Sequence, residues 1–214
     1  MSRRDLPTLL SLFPLLTTAP ALAVTAEPAD IMQWQAKSFQ GETDYALDAV
    51  QGRVAVRATC RDAASGLFLE RPIDLRETPV LEWSWRVDET FPADGPAEDT
   101  KAGDDYPARL YVVKDGGLLP WRSRAVNYVW ASAAPEGADW ENAYASQAHM
   151  VAVRSGPPPE PGAWVTERRD VAEDFRRFHG SAPEEVDAVA IMTDCDDRDA
   201  EARAWYGAIR FLPR

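Results

Sequence analysis

The sequence predicts an all-β protein, an antiparallel two-sheet β-sandwich of jelly-roll type with one short helix. Three observations predict it. About ten short segments alternate apolar and polar residues between turn residues, as half-buried strands do. Only Ala172–Phe178 has helical character. Neither the strand–helix alternation of a parallel sheet nor an internal repeat is visible.

The chain opens on MSRRDLPTLLSLFPLLTTAPALA. Arg3 and Arg4 precede a short apolar core, Leu9 to Leu16, and Ala21-Leu22-Ala23 fits the small-x-small site of a signal peptidase. The apolar run is shorter than the roughly 20 residues of a membrane span, and Pro14 interrupts it. Residues 1–23 therefore read as a cleaved signal peptide and residues 24–214 as a single β-sandwich domain, periplasmic or secreted. The Arg-Arg pair alone falls short of the fuller twin-arginine export pattern.

Thr43–Val50 and Arg53–Thr59 flank Gln51-Gly52, a tight hairpin turn. Gly66–Glu70 is a short strand followed by Pro72. In Val80–Val87 (VLEWSWRV), Trp83 and Trp85 share one face, while Glu82, Ser84 and Arg86 share the other. Asp88 to Pro107 is a long loop with seven acids and Lys101 as its one base; its Pro and Gly residues forbid a regular element. Loops of that length are usually functional or disordered. Ala108–Val113, Ala125–Trp130, Ala148–Val153 and Trp164–Arg168 are further strands, and the Gly/Pro-rich run 156–162 is an exposed connection. Asp170 caps the helix and Gly180 stops it. Val186–Met192 and Trp205–Phe211 close the chain as a hairpin or as neighbouring strands of the sandwich. The link between them carries Asp194, Asp196, Asp197, Asp199 and Glu201.

The formal net charge is −12; without residues 1–23 it is near −13, from 21 basic and 34 acidic residues. That surface excludes nucleic acid and anionic lipid as partners and suits neutral ligands or cations. No stretch after residue 23 is long and apolar enough for a span. Cys60 and Cys195 both sit at strand ends. They read either as a disulfide, which an oxidising compartment favours, or as two separate buried thiols.

Motifs for nucleophilic, phosphate or zinc chemistry are absent: no Gly-x-Ser-x-Gly, no phosphate loop, no His-Glu-x-x-His, no Cys-x-x-Cys. His149 and His179 lie far apart in sequence and read as structural or surface imidazoles. No catalytic residue, cofactor or metal ligand is assigned. Ca2+ is the one cation weighed, and an EF-hand starting at Asp194 fails. Its fifth, sixth and twelfth places are Arg198, Asp199 and Trp205. An irregular site using Asp194, Asp196 and a loop carboxylate stays open beside a solvated acidic turn. Eight tryptophans, with Trp83, Trp85, Trp130 and Trp205 on strands, suit either sugar stacking or the space between two sheets. Arg109, beside Asp104 and Asp105, is either an internal ion pair pinning the loop or a recognition group at a pocket edge.

The ordered set LEWSWRV (81–87), GDDYPARLYVV (103–113), NYVW (127–130), ERRDV (167–171), Met192-Thr193-Asp194 and Tyr206-Gly207 resembles the family known as domain of unknown function 3047 (DUF3047). The resemblance covers nearly all of the chain after residue 23. It implies an exported bacterial protein and a galactose-binding-like β-sandwich, and it carries no activity. The family's turn runs Met-Thr-Asp-Thr-Asp-Asn-Thr and its last strand Tyr-Gly-Asp-Ile. Here Cys195, Asp197 and Arg198 replace Thr, Asn and Thr, and Ala208 replaces the strand aspartate, which weakens a carboxylate-based cation or catalytic role.

The leading reading is a non-catalytic binding module for a glycan or other small polar ligand, with contacts from Trp85, Asp104, Asp105, Arg109, Asn127, Arg169, Asp194 and Asp196. The first alternative is a carboxylate-dependent hydrolase of envelope polysaccharide, with Asp104 or Asp105 and Asp194 as acid and base. The second is a structural or protein-interaction module of the cell envelope.

Overall fold

The computed structural model describes residues 24–119, 122–158, 160, 162–198 and 200–214. The leader at residues 1–23 and Asp199 of the acidic turn lie outside them. One sheet runs in the order β11 (Val165–Asp170), β6 (Val80–Val87), β13 (Glu201–Leu212), β4 (Arg53–Arg61), β3 (Asp44–Val50). The two-residue β1 (Thr25–Ala26) pairs with β13 beyond the end of β4. The other sheet runs β2 (Gln35–Gln40), β5 (Ala64–Asp74), β12 (Glu185–Asp194), β7 (Arg109–Lys114), β8 (Arg124–Ala131), β10 (Ala148–Ser155), β9 (Asp139–Glu141). Taken without their added edge strands, the sheets read 4-13-6-11 and 5-12-7-8. That is the two-Greek-key order of a jelly roll, as the sequence predicts.

Period-two alternation builds the core. Trp83 and Trp85 point inward from β6 and are almost wholly buried. Trp83 stacks on Tyr128 of β8 at 5.3 Å, and Trp85 meets Trp130 at 5.8 Å, so four rings bridge the two sheets. The Trp85 indole N–H donates to Glu167 on β11, whose carboxylate also takes Arg154. Trp85 is therefore core, not a ligand contact: β6 has a neighbour on both sides and its inward face meets the opposite sheet.

Local chemistry sets the turns. Gln51 and Gly52 have φ of 52° and 73°, which closes the β3–β4 hairpin. Pro72 sits in β5 where two residues, Arg71 and Pro72, oppose Asp187 alone, a bulge that tolerates its missing N–H. Asp170 accepts the Glu173 amide at 3.0 Å and caps α2 (Val171–His179), and Gly180 ends it at φ 76°. A second helical turn, α1 (Pro28–Ile31), was not foreseen in the sequence. No helix among the described residues is long and apolar enough to cross a membrane.

Two expectations are corrected. β8 and β10 pair in parallel, because the chain passes through β9 on the far side of β10 before returning. Of the two readings of the acidic turn, the hairpin fails: β12 and β13 belong to different sheets, and the chain crosses between them after Asp194. Cys60 on β4 and Cys195 in that crossing are disulfide-bonded, with Cα atoms 6.2 Å apart. The bridge joins one sheet to the corner leaving the other. Replacing Cys60 and Cys195 by Ser is expected to lower the unfolding free energy by about 2–5 kcal/mol. Urea unfolding with and without reductant measures this, and coincident midpoints would refute it.

Candidate functional site

The loop from Asp88 to Ala108 is shaped by backbone contacts that its composition does not reveal. The buried Glu98 carboxylate accepts the amides of Ser132, Ala133 and Ala134 at 2.6, 3.3 and 2.7 Å. The Tyr106 hydroxyl donates to the Glu98 carbonyl at 3.0 Å. A Cβ at Gly103 would lie 2.2 Å from the Ala97 carbonyl oxygen, so the tight return of the loop requires glycine there. The Asp105 carboxylate accepts the amides of Asp197 and Arg198, at 3.3 and 2.6 Å, and so stitches the loop to the acidic crossing.

Arg109, the first residue of β7, is the centre of the site. Its guanidinium is buried, 3.1 Å from Asp104 and 3.0 Å from Asp194, and lies 4.8 Å over the Tyr106 ring. Asp194 also accepts the Tyr106 amide at 3.1 Å, and Asp104 takes the Asn142 side-chain amide at 2.9 and 2.7 Å. Burial opposes the Arg109 charge, yet the two carboxylates hold its pKa above the ordinary guanidinium value. Burial pushes the Asp194 carboxyl up to about 8, with Arg109 pulling it back down. Burial likewise raises Asp105 to about 6, against its two amide donors. Asp196 is raised too, first by burial and then by the nearby Asp197.

These groups form one end of a pocket of about 520 Å³ on the outward face of the seven-stranded sheet. Its floor is Tyr111, two residues beyond Arg109 and so on the same face, with Asn127, Met192, Ala125 and Ala148. Phe39 on β2 and Tyr144 in the 142–147 loop stand at its rims, both largely exposed. Tyr144 donates its hydroxyl to Asp197.

Of the residues singled out in the sequence, Asp104, Arg109, Asn127, Asp194 and Asp196 converge on this pocket. Asp105 lies behind its wall. Arg169 is elsewhere: its Nε donates to Asp174 at 2.9 Å, and Asp174 also accepts the Tyr128 hydroxyl, so Arg169 fastens α2 to the sandwich. The carboxylates weighed as a catalytic pair are all engaged, Asp104 and Asp194 by Arg109 and Asp105 by amides. The acids whose oxygens lie within 4.8 Å of one another are Asp105, Asp196 and Asp197. Asp194 is outside that group, and its oxygens are taken by Arg109 and the Tyr106 amide. The two histidines, distant in sequence, meet at 6.4 Å beside α2, where His149 stacks on Phe178 and contacts Asp139, away from the pocket. Tyr111, Asn142 and Tyr144 were missed. Tyr111 was readable from its spacing to Arg109; Asn142 and Tyr144 lie in a loop that offers no such signal.

The architecture and pocket define a jelly-roll β-sandwich with a polar, aromatic-rimmed hollow on one outer face. The chain belongs to the family described as protein of unknown function (DUF3047), whose pattern matches residues 32–210. No curated protein matches it. Among solved structures it is similar to the family 30 carbohydrate-binding module of a cellulosomal cellulase from Clostridium thermocellum. The identity is 12%, over 85% of this chain and 91% of that one, with a TM-score of 0.46. It is also similar to a family 27 module from Caldicellulosiruptor saccharolyticus in complex with mannohexaose: 10% identity, 91% and 98% coverage, TM-score 0.42. A third likeness is to the glycoside hydrolase domain of Endo-D from Streptococcus pneumoniae R6, at 12% identity and TM-score 0.41. It covers 84% of this chain, which spans only 21% of that one. Nothing about ligand or activity is carried over from likenesses this distant.

Arg109→Ala is expected to cost about 3–5 kcal/mol, because it leaves buried carboxylates without their counter-charge. Chemical unfolding would show this, and a loss under 1 kcal/mol would refute it. The raised carboxyls set a pH dependence. Asp105 binds its proton more tightly folded than unfolded, where it titrates near 3.8, so its contribution to stability is full below that value and lost as pH rises through about 6. Asp74, held down to about 2 by Arg76, acts in the opposite sense but only at more acidic pH. The melting temperature should therefore rise on going from pH 7 to pH 5. A flat or falling profile in that window would contradict the assignment.

Proposed function

We propose that this protein is an exported, periplasmic or secreted binding module that holds a glycan or other small polar ligand without cleaving it. The observation that carries the reading is the open pocket on the larger sheet. It combines exposed rings at its rims, a tyrosine on its floor, and carboxylate and amide groups between them. Sugar rings present C–H faces to aromatic side chains and hydroxyls to such polar groups. The non-catalytic part rests on the engagement of Asp104, Asp105 and Asp194, which leaves none of them free as a general acid or base. The leader-like residues 1–23 and the Cys60–Cys195 bridge support an oxidising compartment outside the cytoplasm.

Isothermal titration calorimetry against a panel of neutral, amino and acidic oligosaccharides tests the proposal. At least one should bind, and Tyr111→Ala or Asn127→Ala should weaken it by about ten-fold or more, the loss of one good contact. Absence of heat across the whole panel, or release of reducing ends from any member, would sink it.

A further inference from the structure

The charge of the pocket is lopsided in a way that selects among glycans. Arg109 is its basic lining residue, and both Asp104 and Asp194 are paired to it. Asp196 and Asp197 also line the pocket, and neither has a basic partner among the described residues. Arg109 acts on Asp196 only at a distance, and the basic groups of the surrounding loops are turned to other work. Lys101 lies 4.9 Å over the Tyr144 ring, and Arg198 donates to the carbonyls of Pro96 and Gly103 at 3.1 and 3.3 Å. Oxygens of Asp196 and Asp197 lie within 4.8 Å of one another. One ammonium nitrogen at the roughly 2.8 Å of a charge-assisted hydrogen bond can therefore reach both.

A second feature points independently to a polar ligand. Asn127 is only 6% exposed and lines the pocket, yet its side-chain amide has no hydrogen-bond partner among the described residues. A nearly buried amide is normally satisfied. Here its donors and acceptor face the hollow.

We infer that the ligand is a glycan carrying a free amine, a 2-amino-2-deoxy sugar whose ammonium sits between Asp196 and Asp197 while Asn127 takes a hydroxyl. This rests on the glycan-binding reading and narrows it. A uronic acid or phosphorylated sugar would meet like charges, and an N-acetylated sugar would leave both carboxylates without a cation.

Three probes of equal length separate the cases by calorimetry at low salt just below neutral pH: a β-1,4-glucosamine oligomer, its fully N-acetylated counterpart, and an oligogalacturonate. The amine oligomer should bind about ten-fold or more tightly than the N-acetylated one, the scale of one charged hydrogen bond. The preference should shrink as salt is raised, and the uronate should give no detectable binding. Replacing both acids, by Asp196→Asn and Asp197→Asn, should erase the preference by bringing the affinity for the amine oligomer down to that for the N-acetylated one, with the far-UV circular dichroism of the sandwich retained. Equal or tighter binding of the N-acetylated or uronate oligomer, or a preference that survives the double substitution, overturns the amine inference and leaves the glycan reading standing. If neither these probes nor the wider panel bind, the glycan reading fails and the inference with it.

Discussion

Burying one guanidinium in a β-sandwich is costly, and much of this molecule's polar architecture follows from compensating it at Arg109. The charge sits at the start of β7 with Asp194 from the end of β12 on one side and Asp104 from the long loop on the other. Such an arrangement adds little net stability compared with apolar packing, but it fails badly if any member is missing. Its effect is therefore geometric. It fixes where the loop returns, and the loop's position sets the end wall of the pocket.

The crossing after Asp194 is held by a different set of constraints. The Cys60–Cys195 bridge anchors it to β4, the Cys195 amide donates to Ala63 at 2.9 Å, and Asp105 accepts the next two free amides. Just before it, the Thr193 hydroxyl donates to Pro107 at 2.9 Å, and the Arg109 amide donates to the Tyr206 hydroxyl at 3.2 Å. A segment that composition marks as a solvated acidic turn is thus ordered from beneath. The carboxylates of Asp196 and Asp197 are left at its outer surface, facing the pocket rather than each other's counter-charges.

Much of the fold was legible because strand alternation has a fixed period and turns have specific chemistry. VLEWSWRV could only place Trp83 and Trp85 together, and Gln51-Gly52 and Asp170…Gly180 announce their turn and caps. What period two cannot say is which of two faces meets the other sheet, and that is why Trp85, which reads first as core, also stands among the candidate ligand contacts. Nor does adjacency in sequence distinguish a hairpin from a corner: six residues suffice to cross the roughly 10 Å between packed sheets. The site was half readable. Asp104, Arg109 and Asp194 stand out as charges at strand ends. Glu98 does not, since one glutamate among seven loop acids carries no mark that three amides of a distant segment will converge on it.

The two outer faces show why one of them is a site. On the six-stranded sheet, large side chains lie flat and satisfy one another. Arg86 covers Trp205 at 4.6 Å, the Trp205 indole donates to Asp48 at 2.9 Å, and Glu82 meets both Arg168 and Arg210 at 3.8 Å. On the seven-stranded sheet, Ala64, Ala125 and Ala148 occupy outward positions where those long side chains would otherwise close the surface. Small residues there lower the floor between Phe39 and Tyr144, and Asn127 stands in the depression opposite Tyr111, its side-chain amide without a hydrogen-bond partner among the described residues. Where polar groups are mutually paired, as around Glu82, Arg86 and Trp205, they have few interactions left for a ligand. A hollow floored by alanines, with an unpartnered amide and two uncompensated carboxylates at its edge, still has those interactions to make.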